Sequence, residues 1–430
     1  MMDGEKREMA MKKTFVVLVL LTALVGTAFI GCSRKADSAK GVEITLMQNK
    51  PEIDDALKAY AVVWGEKTGN TAVIKSVGGG SSITLGQQLR ADFAAGDMPD
   101  IYIIAGIEDY KEWEANILDL SGEKWIKETS VAFTVDGKVY GFPVAVEGWG
   151  MAYNEDVLKK GGIDPASLVN YACYKAAFEK LDSMKAELGI DSVVSMAASI
   201  DMGWVTAHHN FNSLLSNGLP YGDKSVVDQM LSGKIDDTRL REYADWVELL
   251  FMYADQAILT TGNYDAQVGA FATGKAAFLH QGNWTDPNMK AANATFNMAF
   301  APHGSMKKAT DGIFVAAPSF YVINSESENI DAAKQFLNDM VFTSEGQDFM
   351  VNKAGMIPAY ANVKLNPAGL LSKSVQNWAA MGKVYSWNQY NFSTDFRDLT
   401  LSPIYNQFAN GSIDKAKFME LFKAAVAGLK

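Results

Sequence analysis

A long segment of this chain alternates between short β-prone runs and helical periodicities, and that alternation limits the folds open to it. Val42–Met47 predicts a first strand, Pro51 can open a helix whose apolar residues recur at helical spacing, and Gly69 ends it. The runs 71–77 and 100–105 predict two further strands with a helix between them. Right-handed crossovers make such a β-α-β-α-β unit a parallel sheet with helices on both faces. The sequence therefore predicts an α/β fold.

Polar side chains follow all three predicted strands at their carboxyl ends, where open sheets of this kind bind ligands. The glycine- and serine-rich loop 78–82 matches neither the phosphate-binding loop nor the dinucleotide pattern, so it favours a plain turn or a polar-ligand contact over a nucleotide site. The alternative for each polar residue is a solvated side chain. The candidate ligand contacts at this edge are Asn49, Lys50, Ser81, Ser82, Glu108 and Asp109.

Later runs predict the rest of the body as a mixture of helices and strands. Tyr171–Leu188 and Glu345–Lys353 each predict one helix, and Leu240–Tyr253 predicts an amphipathic one. Strands are predicted over 275–280, 296–301 and 313–323.

The first 32 residues have the layout of a secretory signal peptide, with Lys12 and Lys13 ahead of an apolar run, Phe15–Ile30. The run is short for a permanent membrane span and polar chain follows it. Its end, Gly31-Cys32, resembles the bacterial lipobox, in which the cysteine is lipidated; an ordinary signal peptide is the alternative. We expect residues 1–32 to be the signal and 33–40 a flexible tether.

The length and composition of the exported part limit its possible structure and partners. It is about 400 residues long, enough for two domains. Besides Cys32 it has only Cys173, so no internal disulfide is available, and Cys173 is expected to be a small apolar residue. The net charge of -11 argues against binding to nucleic acid and against attachment to anionic lipid through a polybasic segment. Attachment to the membrane would therefore be by lipid only.

No metal or cofactor is expected. His208 and His209 are adjacent, so their side chains diverge and seldom chelate one ion, and the sequence has neither H-E-x-x-H nor C-x-x-C. A catalytic triad or a pair of glycosidase carboxylates cannot be recognised from residue counts. A secreted carbohydrate-active enzyme therefore stays open as an alternative.

Four segments, in order along the chain, resemble the extracellular solute-binding proteins of ABC importers, in particular the maltose-binding or family 1 group. They include the turn A-x-G-D-x-P-D-[IV], the first domain crossing, a strand ending in G-x-W, and a pair of helices. The segments are Ala94–Ile101, Gly137–Glu147 with Tyr153–Leu158 after it, Gly274–Trp284, and Ala332–Gln347.

The resemblance implies a two-lobed periplasmic-binding-protein fold (type II, Venus-flytrap) with three inter-lobe crossings. Those crossings would lie near Glu147, near Ile313–Ala316 and near Ala361–Leu365. One lobe would comprise residues 41–147 and 315–362, and the other 148–314 and 363–430.

The resemblance also implies site residues. A sugar offers hydroxyls at its edge and C–H groups on its faces, so its site needs carboxylates, amides and flat aromatic rings. Glu147 matches a crossing-strand carboxylate, and Trp284, with Asn283 beside it, matches a stacking tryptophan. The alternatives are a core tryptophan at 284 and hinge packing for Trp149. The remaining candidate contacts are Trp149, Trp204, Trp387 and Arg397.

The function that the resemblance implies is an extracytoplasmic receptor and not an enzyme. It would capture a sugar or oligosaccharide by hinge closure and deliver it, as a monomer, to the transmembrane subunits of an ABC permease. A polyamine, a phosphorylated polyol or a metal chelate is the alternative solute.

Overall fold

The computed structural model describes residues 41–78 and 83–430, and these residues form a mixed α/β structure. The predicted signal peptide and tether, Cys32, Ser81 and Ser82 lie outside the described residues. The strands are β1 Glu43–Gln48, β2 Thr71–Ser76, β3 Ile101–Ile104, β4 Phe133–Val135, β5 Lys138–Pro143, β6 Glu147–Trp149, β7 Met151–Asn154, β8 Ser192–Ser195, β9 Ala276–Leu279, β10 Met298–Ala301, β11 Ile313–Ala316, β12 Phe320–Ile323 and β13 Val384–Tyr385.

The helices of the described residues connect these strands and cover the sheets. The α-helices are α1 Asp54–Thr68, α2 Leu85–Ala95, α3 Ile107–Trp113, α4 Glu155–Lys160, α5 Tyr171–Ser183, α6 Lys185–Leu188, α7 Phe211–Ser216, α8 Ser225–Leu231, α9 Asp237–Met252, α10 Gln256–Thr261, α11 Tyr264–Ala272, α12 Asp286–Ala291, α13 Ile330–Phe342, α14 Ser344–Asp348, α15 Leu370–Ala380, α16 Ser402–Ala409 and α17 Lys415–Ala427. π-Helices span Trp204–Asn210, Phe349–Lys353 and Asp395–Leu401.

The first sheet has six strands in the order β2-β1-β3-β12-β5-β4. β1 pairs in parallel with both β2 and β3, which confirms the predicted parallel β-α-β-α-β unit. Helix α1 follows a short 3-10 turn that opens at Pro51, and it ends at Gly69, whose φ of 76° is the left-handed conformation that glycine adopts most readily. Helix α2 begins with a capping box between Thr84 and Gln87.

Alternate residues of the first sheet point into two separate apolar cores. Leu46 and Ile103 belong to one core, while Met47 and Tyr102 belong to the other. Because successive strand residues face opposite sides, the middle of the sheet is covered on both faces, and its strands β3 and β12 are buried along their whole length.

Two smaller sheets complete the strand framework. One has the order β10-β7-β9-β8, and the other, of three strands, has the order β13-β11-β6. In the three-stranded sheet, β11 pairs antiparallel with β6 and parallel with β13, so segments far apart in the sequence meet there.

The single strand predicted over residues 313–323 is wrong. The structure divides the run into β11 and β12, which lie in different sheets. Pro318 lies between them and has no N–H to donate to a sheet ladder, which accounts for the break. The predicted helix 171–188 also divides, at Met184, whose φ of -109° and ψ of 6° leave the helical region.

The buried residues show how the chain is distributed between its cores. The two cores of the first sheet draw on residues up to Ala145 and again on Phe320 to Val363, whereas a third core draws on Trp149 to Val315 and on Leu371 to Val426. Ile357, which bridges to Val146, also joins the third core. The chain thus passes between cores over 145–149, 315–320 and 363–371. Within the described part of the chain, no helix is both long and apolar enough to span a bilayer.

Gly150 connects β6 to β7 where no side chain fits, and this gives a first prediction. A Cβ at Gly150 would lie 2.4 Å from the backbone oxygen of Ala301, whereas a Cβ at Gly86 in α2 would meet nothing within 4 Å. We expect Gly150→Ala to lower the free energy of unfolding by about 1–3 kcal/mol because the backbone must shift. The control Gly86→Ala should raise it by about 0.4–1 kcal/mol. Urea unfolding of both variants checks this, and equal stabilities would contradict the packing described for β6 and β7.

Candidate functional site

Four predicted site residues meet where the first sheet and the three-stranded sheet approach each other. We call this place the seam and define it by Lys50, Glu147, Asn283 and Trp284. Lys50 follows β1, and Glu147 begins β6. Asn283 and Trp284 follow β9 in a 3-10 turn that an isolated bridge between Trp149 and Gly282 holds beside β6. All four are buried, so the seam is a closed interface in this structure.

Asn283 locks that turn in place. Its side-chain oxygen accepts a hydrogen bond from the backbone N–H of Gly148 at 2.8 Å, and its amide N–H donates to the hydroxyl of Ser372 at 3.1 Å. The amide therefore joins β6 to α15. Asn283 has a positioning role whatever else it contacts.

The polar centre of the seam is a buried ion pair between Lys50 and Glu147. Lys50 Nζ donates to Glu147 Oε1 and lies 3.7 Å from Glu52 Oε1. The side chains of Lys50 and Glu147 are each 10% exposed. Burial lowers the pKa of Lys50, but Glu147 and Glu52 raise it by more, so the net pKa is well above its usual value and the ammonium is charged.

A small cavity adjoins this ion pair. Lys50, Glu52, Glu147 and Trp284 line it, together with the Gly355 segment that follows the second π-helix. Its volume is about 10 Å³, roughly the minimum that holds one water molecule. A sugar ring can enter only if the walls separate.

Aromatic rings surround the seam on the side of the third core. The ring of Trp284 lies 6.2 Å from that of Trp387 and 4.8 Å from His209. Its Nε1–H donates to Gln281 at 3.0 Å, so the indole face is the part left to contact a solute. Trp149 is fully buried and stacks on Phe314 at 4.2 Å, which makes it part of the packing beneath the seam.

Arg397 lies nearby in a network that joins two π-helices. It donates to His208 Nδ1 at 2.8 Å, and His208 Nε2 bonds to Asp398 at 2.5 Å. Burial, and then the charge of Arg397, lower the pKa of His208, so the neutral ring accepts from Arg397 and donates to Asp398. The guanidinium lies 4.9 Å from the ring centre of Tyr390.

Asp109 makes a second contact across the boundary between the cores. Its carboxylate accepts from the N–H of Ala105 at 2.8 Å and from the hydroxyl of Thr394 at 3.1 Å. Gly106, with φ of 87°, lets Tyr390 approach so closely that a Cβ would lie 2.7 Å from the Tyr390 Cβ. Burial raises the pKa of Asp109, and Arg397 partly offsets this.

The structure does not bring the remaining predicted residues to the seam. Glu108 is partly exposed and pairs with Lys111 at 2.6 Å, and Asn49 is exposed. Trp204 packs 5.4 Å from His209 and 6.0 Å from Tyr264. Among the described residues, no group of three His, Cys, Asp or Glu side chains could hold a metal ion.

Sequence reasoning missed three residues of this region. Sequence reasoning could have found Glu52, because it lies two positions after Lys50, shortly beyond the end of β1. His209 and Tyr390 carry no local signal, since only long-range packing brings His209 against Trp284 and places Tyr390 beside Trp387.

A larger hollow lies elsewhere, between α9, α10 and α16. Its volume is about 640 Å³, and Met252, Gln256 and Asn406 are among the residues that line it. The side-chain amides of Gln256 and Asn406 already donate to backbone carbonyls. Among the described residues that line this hollow, Glu248 already pairs with Lys415 and none is a tryptophan, so the seam is the better candidate site.

The four histidines give a second prediction. Burial is the largest cause lowering the pKa of each, and it brings that of His280 to about 4, from a usual 6.5. The unfolded chain therefore binds more protons than the folded chain below about pH 6.5, and stability falls as pH falls. We expect His280 alone to remove about 2 kcal/mol of unfolding free energy between about pH 7.5 and about pH 5. Urea unfolding measures the loss, and histidine resonances titrating near 6.5 in the folded protein would contradict it.

Comparison with known proteins identifies the family and the fold. A family model described as "Bacterial extracellular solute-binding protein" matches residues 49–357. The chain is 23% identical to a Streptococcus mutans protein named "Multiple sugar-binding protein", over 92% of this chain and 95% of that one. It is 24% identical to a Streptococcus pneumoniae protein named "Maltooligosaccharide ABC transporter solute-binding lipoprotein", over 79% of this chain and 80% of that one.

A solved structure shows the same fold. The chain matches a sugar transporter of Bacillus licheniformis, solved in complex with stachyose, with a TM-score of 0.73 and 17% identity, over 90% of this chain and 100% of that one. At this identity the likeness concerns the fold, and it confirms the predicted two-lobed α/β architecture.

Proposed function

Because this chain belongs to the bacterial extracellular solute-binding proteins, we propose that it captures a sugar or oligosaccharide at the seam and delivers it to an ABC permease. Its place of action is outside the cytoplasm, as the family description states. The solute is bound and released chemically unchanged. The names of its relatives, which refer to sugars and maltooligosaccharides, support this choice of solute.

The observation that carries the proposal is the meeting of Lys50, Glu147 and Trp284 at one cavity. An ammonium and a carboxylate supply the charged hydrogen-bond partners that sugar hydroxyls prefer, and the indole supplies a flat face for C–H groups. Lys50 belongs to the first proposed lobe, Glu147 lies in the chain passage between the cores, and Trp284 belongs to the third core. A solute that contacts all three stabilises their closed arrangement.

Hinge closure is the mechanism we propose. A solute shifts the equilibrium between open and closed forms only by its differential affinity for the two. The cavity of about 10 Å³ is too small for a sugar, so entry requires opening. We propose lobes of 41–147 with 315–362 and of 148–314 with 363–430, and the passages of the chain between the cores support this division.

We also propose that Cys32 carries a lipid and that this lipid alone holds the protein at the membrane. The relative from Streptococcus pneumoniae is named a lipoprotein, which supports the assignment. We propose as well that the receptor acts as a monomer.

A third prediction concerns Glu147. Replacing its carboxylate by an amide, Glu147→Gln, keeps the shape but removes a charged acceptor, so saccharide binding should weaken by about 1–3 kcal/mol. Differential scanning fluorimetry against a saccharide panel identifies the solute, and calorimetry then gives the affinities.

The matched control is Glu179→Gln, which makes the same chemical change on the exposed face of α5. It should leave the affinity unchanged. Equal affinities of Glu147→Gln and Glu179→Gln would remove Glu147 from the site, and the absence of any binding saccharide would refute the sugar receptor.

A further inference from the structure

The buried charges at the seam do not balance. Glu52 and Glu147 supply two carboxylates, while Lys50 supplies one ammonium. The side chain of Glu52 is only 8% exposed, although the residue lies in the 3-10 turn that precedes α1. Lys50 is therefore shared by both carboxylates, and the wall of the cavity carries one more acidic group than basic groups.

The unbalanced charge belongs to Glu52 and not to Glu147. Lys50 Nζ is hydrogen bonded to Glu147, whereas its distance of 3.7 Å from Glu52 is too long for a hydrogen bond. Burial is the largest cause raising the pKa of Glu52, and the charge of Lys50 offsets it only in part. A buried carboxylate is stable only where a cation or hydrogen-bond donors meet it.

No other cation of the described residues supplies that partner. Among the residues that line the cavity, the charged ones are Lys50, Glu52 and Glu147. Arg397 is already engaged by His208 and by the backbone oxygen of Phe392. The missing donor can therefore come from the solute.

The indole of Trp284 adds a second feature that suits a cation. It lines the same cavity, and its N–H is bonded to Gln281, so its ring face is the part available. A ring face attracts an ammonium group as well as sugar C–H groups.

We propose that the solute is a sugar bearing a protonated amine, and that Glu52 pairs with this ammonium when the seam closes. This inference rests on the proposed sugar receptor and narrows the class of sugar that it binds. The amine replaces the counter-charge that the chain itself lacks at Glu52. A neutral sugar leaves the imbalance in place, and an anionic one increases it.

Matched pairs of saccharides in which one or two amines replace hydroxyls test the proposal. Suitable pairs are glucose and glucosamine, galactose and galactosamine, and cellobiose with its fully deacetylated diamino counterpart, with spermidine as an amine without a ring. In whichever pair binds, calorimetry should show the aminated member about tenfold tighter, because a hydrogen bond between two charged groups replaces one to a hydroxyl.

Glu52→Gln should remove that preference, so that the two members of the pair bind with equal affinity. The control Glu66→Gln makes the same charge change on the exposed side of α1 and should preserve the preference. If the neutral members bind as tightly as the aminated ones, the proposal of an amine-bearing solute is wrong, while the proposed sugar receptor is unaffected. If spermidine binds and no saccharide does, the sugar receptor fails and this proposal fails with it.

Discussion

The buried ion pair between Lys50 and Glu147 ties together two parts of the chain that are otherwise built separately. Lys50 follows a strand of the six-stranded sheet, and Glu147 begins a strand of the three-stranded sheet. Removing either partner would leave the other charge buried and unpaired, which is why such pairs are destabilising to break. The pair therefore holds the end of β1 beside β6, and both of its charges line the cavity of the seam.

The surrounding fold places this pair where the chain passes between its apolar cores. Two cores lie on the two faces of the six-stranded sheet, and the chain passes between these and the third core over 145–149, 315–320 and 363–371. Asn283 and Ser372 fix one wall of the cavity, and Asp109 with Thr394 forms a second contact at the same boundary. The separate cores and the few chain passages between them are the basis of the hinge closure that we propose.

Local sequence signals predicted the parts of this fold that depend on local chemistry. The β-prone runs and the helical segments between them predicted the parallel sheet, and Gly69 ended its helix as expected. The run 313–323 was misread because its apolar residues continue on both sides of Pro318, where the chain leaves β11 and enters β12 of another sheet.

For the site, the family resemblance supplied Glu147, Asn283 and Trp284, and the end of a parallel strand supplied Lys50. The structure brings these four together, and their contact with a solute stays a prediction. Glu52, His209 and Tyr390 were missed, because the distances that join them to the seam depend on long-range packing that no short pattern encodes.

Small-angle X-ray scattering tests the central claim most directly, because it reports the compactness of the whole receptor in solution. The account predicts that the radius of gyration falls when a binding saccharide is added to saturation. A radius of gyration that stays constant at saturation would contradict closure of the two lobes around the solute.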